Sequence, residues 1–73
     1  MNVDNLIKMA NQIGTFFEAM PNREQAVKDI AAHIQKNWEP RMRTTLYNHI
    51  DECGDLELSP MVREALLLVH NAS

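Results

Sequence analysis

Residues 6–21 read LIKMANQIGTFFEAMP. Leu6, Met9, Ala10, Ile13, Phe16, Phe17 and Met20 recur there at three- and four-residue steps, which a helix gathers into one wide apolar stripe. Asn2 or Asp4 stands where a cap would open this helix. Met20-Pro21 closes it, because the residue before a proline avoids helical backbone. Gly14 inside the stripe costs about 1 kcal/mol relative to Ala, so its presence predicts the close approach of another helix.

The same periodicity continues on both sides of Pro21 and Pro40. Asn22, followed three residues on by Gln25, is a capping-box variant. From it Ala26, Val27, Ile30, Ala31 and Ile34 share a face that Trp38 extends. Pro40 suits the first position of a third helix, with Met42, Leu46, Ile50 and Cys53 as inner stripe and Tyr47 alongside. Gly54 offers the left-handed residue that commonly closes a helix. Leu56 and Leu58 alternate with acidic residues in the loop that follows. Ser59-Pro60 opens a fourth helix with Val62, Ala65, Leu66 and Val69 on one face. The expected fold is all-α: a single small domain, residues 1–73, of four short helices near residues 4–19, 23–36, 41–53 and 60–71. Leu6, Ile13, Phe16, Val27, Ile30, Ile34, Leu46, Ile50, Leu66 and Val69 are the expected core.

A chain of 73 residues is near the lower limit for an unaided core, since a domain of this size hides only about 60% of its unfolded surface. Apolar residues make up 45% of it, which excludes outright disorder. One cysteine permits no intrachain disulfide and suits a reducing, cytoplasmic setting. A net charge of −3 argues against bulk electrostatic binding of nucleic acid. The first residues lack the pattern of a secretion signal. The longest apolar run, Ala65 to Val69, falls far short of the roughly 20 residues that span a bilayer.

The last helix is too apolar for one face. Leu66 to Val69 spread over roughly 300° of its circumference at about 100° per residue. With Leu66 and Val69 turned to the core, Leu67 or Leu68 points outward, either as an ordinary exposed leucine or as a contact with another subunit or a second copy of the isolated chain. The loop Asp51 to Glu57 lacks the ligand order of a calcium loop and reads as a solvated acidic turn. His49 and Cys53 are spaced to share a metal, but no second close pair completes a site; they read as a half-buried histidine beside a core thiol. Acidic neighbours disfavour a Cys53 thiolate. Nothing here forms a catalytic constellation, and the chain is not expected to be an enzyme or to carry a cofactor or metal.

Asn37 to Arg43, NWEPRMR, concentrates the only Trp and two of the four Arg. Arg41 and Arg43 occupy the first turn of the third helix, where cations oppose the macrodipole at a few tenths of a kcal/mol each. A fold-only account lets Glu39 offset one charge and Arg41 stack on Trp38. A functional account offers both guanidinium forks and the helix amides to one anionic group of a partner, beside a Trp of the kind that anchors interfaces.

MANQIGTFF (Met9 to Phe17), IAAHIQKNWEPRMRTTL (Ile30 to Leu46), NHI (Asn48 to Ile50) and LSPMVREAL (Leu58 to Leu66) together resemble the delta subunit of soluble NAD-dependent formate dehydrogenases containing molybdenum or tungsten. The resemblance covers nearly the whole chain; the loop after the third helix is more acidic here and poorer in glycine. It implies an accessory subunit that supports assembly or stability of the complex. The alpha subunit of such enzymes carries the molybdenum pterin and iron–sulfur clusters, the beta subunit FMN and the NAD site, and the gamma subunit a further cluster. The delta chain carries no redox centre, which agrees with a single cysteine where a cluster needs four ligands. On this reading Trp38, Glu39, Pro40, Arg41 and Arg43 dock on the alpha subunit, with Leu67 and Leu68 as a further contact. A cofactor-handling chaperone, in which the two arginines hold the pyrophosphate of a molybdopterin dinucleotide and Trp38 stacks on its ring, is the alternative.

Overall fold

The computed structural model describes residues 2–72. Four helices follow one another: α1 (Val3–Phe17), α2 (Arg23–Asn37), α3 (Pro40–Cys53) and α4 (Pro60–Ala72). No strand occurs among the described residues. The Asn2 side chain caps α1 by accepting from the Asp4 amide. Asn22 caps α2 by accepting from the Gln25 amide at 3.1 Å. Pro40 sits in the first turn of α3, and Gly54, with φ of 86°, closes it. That positive φ is open to glycine at little steric cost.

α2 and α4 form the most extensive pairing, with α1 laid against α2, α3 and α4. The molecule measures 32 × 23 × 17 Å, about two helices deep given a helix diameter of ~10 Å. Ile30, Ile34, Leu46, Val62 and Val69 are the largest fully buried side chains. Ile7, Ala10, Trp38 and Leu58 join them. α3 is the least embedded helix, with Leu46 its one buried residue. Its backbone approaches α1 alone, and a Tyr47–His70 ring contact at 4.7 Å ties it to α4.

Four core expectations are corrected. Phe16 is 75% exposed. The buried face of α1 runs through Leu6, Ile7, Ala10 and Gly14, and Phe16, two residues past Gly14, is turned roughly 200° from it. Ile13 and Ile50 are only partly buried, packed at the margin of the core. Cys53, the last residue of α3, is exposed rather than a core thiol.

Gly14 marks a close approach, as its position inside a helix predicts. A Cβ built on it falls 2.6 Å from Val62 Cγ2 and 3.2 Å from Ser59 Oγ. Ser59 takes the cap position of α4, its carbonyl accepting from Arg63 N at 3.0 Å. Its hydroxyl, however, is buried and has no hydrogen-bond partner among the described residues, because it faces Gly14 instead of the first-turn amides. Gly14→Ala adds helix propensity worth about 1 kcal/mol but forces a methyl into Val62, which is fully buried and has no room to retreat. Overpacking costs about 1–3 kcal/mol, so a net loss is expected, seen as a melting point roughly 5–10 °C lower. A melting point equal to or above the parent's would show that the α1–α4 contact yields.

Asn11, one turn before Gly14, locks the α3–α4 loop. Its Nδ2 donates to the Glu57 carbonyl at 2.9 Å, and its Oδ1 accepts from Ser59 N at 3.0 Å. Arg63 Nε donates to the Leu58 carbonyl at 2.9 Å, and His49 Nε2 lies 3.3 Å from Glu57 Oε1. The acidic turn is therefore a clamped segment that drives Leu58 into the core and leaves Leu56 84% exposed.

Candidate functional site

Trp38 caps the C-terminus of α2 in extended backbone, its N–H bonded to the Ile34 carbonyl. It is only 5% exposed, so most of its indole serves the core. Glu39 leads into α3 without a side-chain cap; its carbonyl accepts from Met42 N at 2.9 Å and Arg43 N at 3.3 Å. Glu39, Pro40 and Arg41 are exposed and Arg43 is half-buried. Thr45 Oγ1 donates to the Arg41 carbonyl at 2.8 Å, and among the described residues the Arg41 guanidinium has no ion pair and no stack on Trp38.

The two arginines do not converge. Positions two apart on a helix face roughly opposite ways, and Arg43 turns into a shallow cleft with Tyr47, Asp51 and His70. There the Tyr47 hydroxyl is buried without a hydrogen-bond partner among the described residues. Burial pushes its phenol above the ordinary range, and the nearby Arg43 charge partly offsets this; the phenol stays neutral at physiological pH. Arg41 remains on the other side of α3. A single anion held by both forks, the geometry of a pyrophosphate clamp, is not what this helix presents.

Elsewhere, α1, the end of α2 and the start of α3 enclose a groove of about 540 Å3 walled chiefly by Met9, Ile13, Phe16, Phe17, Trp38 and Met42. Phe16 meets Phe17 edge-on at 5.1 Å and 86°, and Phe17 meets His33 at 6.4 Å. Such edge-to-face contacts favour defined ring positions. On another side, Leu67 and Leu68 are both exposed, at 61% and 45%, over a depression of about 610 Å3 with Val27 at its base. Charges border it in pairs, Arg23 with Glu64 at 3.0 Å and Lys28 with Glu24 at 3.4 Å. All four are at least half exposed, so each pair contributes well under about 1 kcal/mol.

Sequence reasoning placed Trp38, the arginines and the α4 leucines at the surface or its margin, and missed two things. Phe16 belongs to the groove, and Asn11 to the clamp. Asn11 did carry a signal: an amide inside an apolar stripe, one turn from a glycine that admits a second backbone. No group of three or more His, Cys, Asp or Glu is arranged to hold a metal among the described residues, and no helix among them is long and apolar enough to cross a membrane.

These features define a small all-α domain with one exposed thiol and several open apolar surfaces. The chain belongs to the NADH-dependent formate dehydrogenase delta subunit family, FdsD, whose family model matches residues 5–66. It is thus a delta subunit of a multisubunit formate dehydrogenase, with other subunits as its partners. No curated protein and no solved structure matches the chain.

Proposed function

We propose that this delta subunit is a non-catalytic accessory chain that supports assembly or stability of the NAD-dependent formate dehydrogenase by docking on the catalytic alpha subunit. One observation carries the reading beyond family membership. With its core complete, the domain still presents Phe16, Leu67 and Leu68 to solvent. Large apolar side chains grouped at open surfaces mark protein contacts. Trp38 lines the first of these surfaces, and Pro40 and Arg43 line a neighbouring cleft.

The arginines separate docking from folding. Changing Arg41 and Arg43 together to Gln removes two cations that oppose the α3 dipole, so the free chain is expected to melt at the parent's temperature or slightly above. Binding to the complex is expected to weaken by about 2–5 kcal/mol, much of it from stranding the partner's anion. Arg41→Gln alone is expected to carry most of that loss. Recovery of the other subunits with the tagged variant, beside the free chain's melting curve, is the measurement. An unchanged complex with a less stable free chain would make the arginines structural and move the interface to Leu67 and Leu68.

A further inference from the structure

We propose that two copies of this chain associate through α3, packed antiparallel about a two-fold axis at Tyr47, so that Arg43 of each copy meets Asp51 of the other. The inference goes beyond the accessory reading and does not rest on it. Arg43 serves a second copy, and Arg41, on the other side of α3, stays free for the catalytic subunit.

The register of α3 carries the inference. Arg43, Tyr47 and Asp51 follow one another at four-residue steps and so share one face of the helix. Eight residues at about 1.5 Å each put the two charges about 12 Å apart along the axis, too far to pair with one another. All three side chains line one cleft of about 390 Å3, which His70 of α4 also lines. Neither charge has an ion pair among the described residues. Arg63 shares a second cleft with Asp51, but its Nε is turned to the Leu58 carbonyl at 2.9 Å. α3 also has the most room for a neighbour: Leu46 is its one buried residue, and its backbone approaches α1 alone.

Charge order selects the occupant. The face is positive one turn before Tyr47 and negative one turn after it. Turning a copy end for end about Tyr47 therefore sets each charge against its opposite, whereas a parallel copy sets Arg43 on Arg43 and Asp51 on Asp51. An isologous contact of this kind uses one patch twice and closes at the dimer. A different protein would need the same two charges, equally spaced and in reverse order; this chain already carries them. The one like pair that the axis brings level, Glu39 with Asp55, lies outside the helix, and Arg63 lines the second cleft with Asp55. Leu67, 61% exposed, lines that cleft too and gives the contact an apolar margin. The other open surfaces specify no such register. Around Leu68 the charges are already paired within the chain, Arg23 with Glu64 and Lys28 with Glu24, and the groove at Trp38 has no Arg, Lys, Asp or Glu in its lining.

The test is the association of the isolated full chain, followed by sedimentation equilibrium in reducing buffer, which keeps the exposed Cys53 from linking copies. The parent is expected to dimerise at high micromolar concentration, and less readily as salt rises, since screened charges attract less. Arg43→Glu and Asp51→Lys each set like charges together and are expected to weaken the dimer about tenfold or more. Each change also places a favoured charge at its end of α3, so both variants are expected to melt at or above the parent's temperature. Mixed in equal amounts, the two variants are expected to pair with one another about as tightly as the parent pairs with itself, because each supplies the charge that the other lacks. The double variant is expected to recover as well. A parent that stays monomeric, a dimer indifferent to salt, single variants that pair like the parent, or a mixture that fails to recover overturns the proposal. No other subunit is present in these measurements, so their failure leaves the accessory reading standing.

Discussion

Ile30→Ala is expected to leave the chain largely unfolded. Ile30 is fully buried in the middle of α2, the helix most extensively paired with α4 and also packed on α1. Removing three of its carbons forfeits their transfer energy and opens a cavity that neighbours on two sides fill only in part, a loss of about 2–5 kcal/mol for such substitutions. Native domains hold only about 0.05–0.15 kcal/mol per residue, so a chain of 73 residues has about 4–11 kcal/mol in all, and at the lower end of that range such a loss removes nearly the whole of it. Thermal melting followed by helical circular dichroism measures this. A variant that melts like its parent would show that α2 does not form the centre of the core.

Trp38→Ala has an expected cost of the same order, about 3–5 kcal/mol, but its consequence differs. The indole is 5% exposed and reaches both the core and the groove floor. Losing it collapses the α2–α3 junction along with the wall against which Met42 rests. Stability and recovery in the complex are therefore expected to fall together. Trp38→Phe restores much of the buried apolar area and is expected to recover most of both. If Trp38→Ala kept the parent's melting point while losing the complex, the indole would belong to the interface and not to the core. The contrast with Phe16 is informative: one ring is inside and the other outside, although both line the same groove.

Much of the architecture was legible before any coordinates. The four helices lie within a few residues of their expected bounds, because capping asparagines, prolines and a closing glycine act within a turn of where they stand. Gly14 announced its contact, since a helix has no local reason to carry that residue. The opposed directions of Arg41 and Arg43 also follow from helix geometry, although treating the arginines as a pair hid it.

What periodicity by itself determined about this protein was the width of each apolar arc; which part of each arc is covered was decided by where the other helices land. On α1 the arc from Leu6 to Met20 is broader than one neighbour can hide, and the packing of α4 at Gly14 turns Phe16 to solvent. On α4 the same excess leaves both Leu67 and Leu68 outside. Leu56 and Leu58 are chemically alike and two residues apart, yet Asn11 grips the backbone around Glu57 and Ser59 and thereby selects Leu58 for the core. Cys53 shares the α3 stripe and remains exposed at the last residue of that helix. In each case local sequence sets what a side chain would gain by burial, whereas long-range contacts set which side chains are buried.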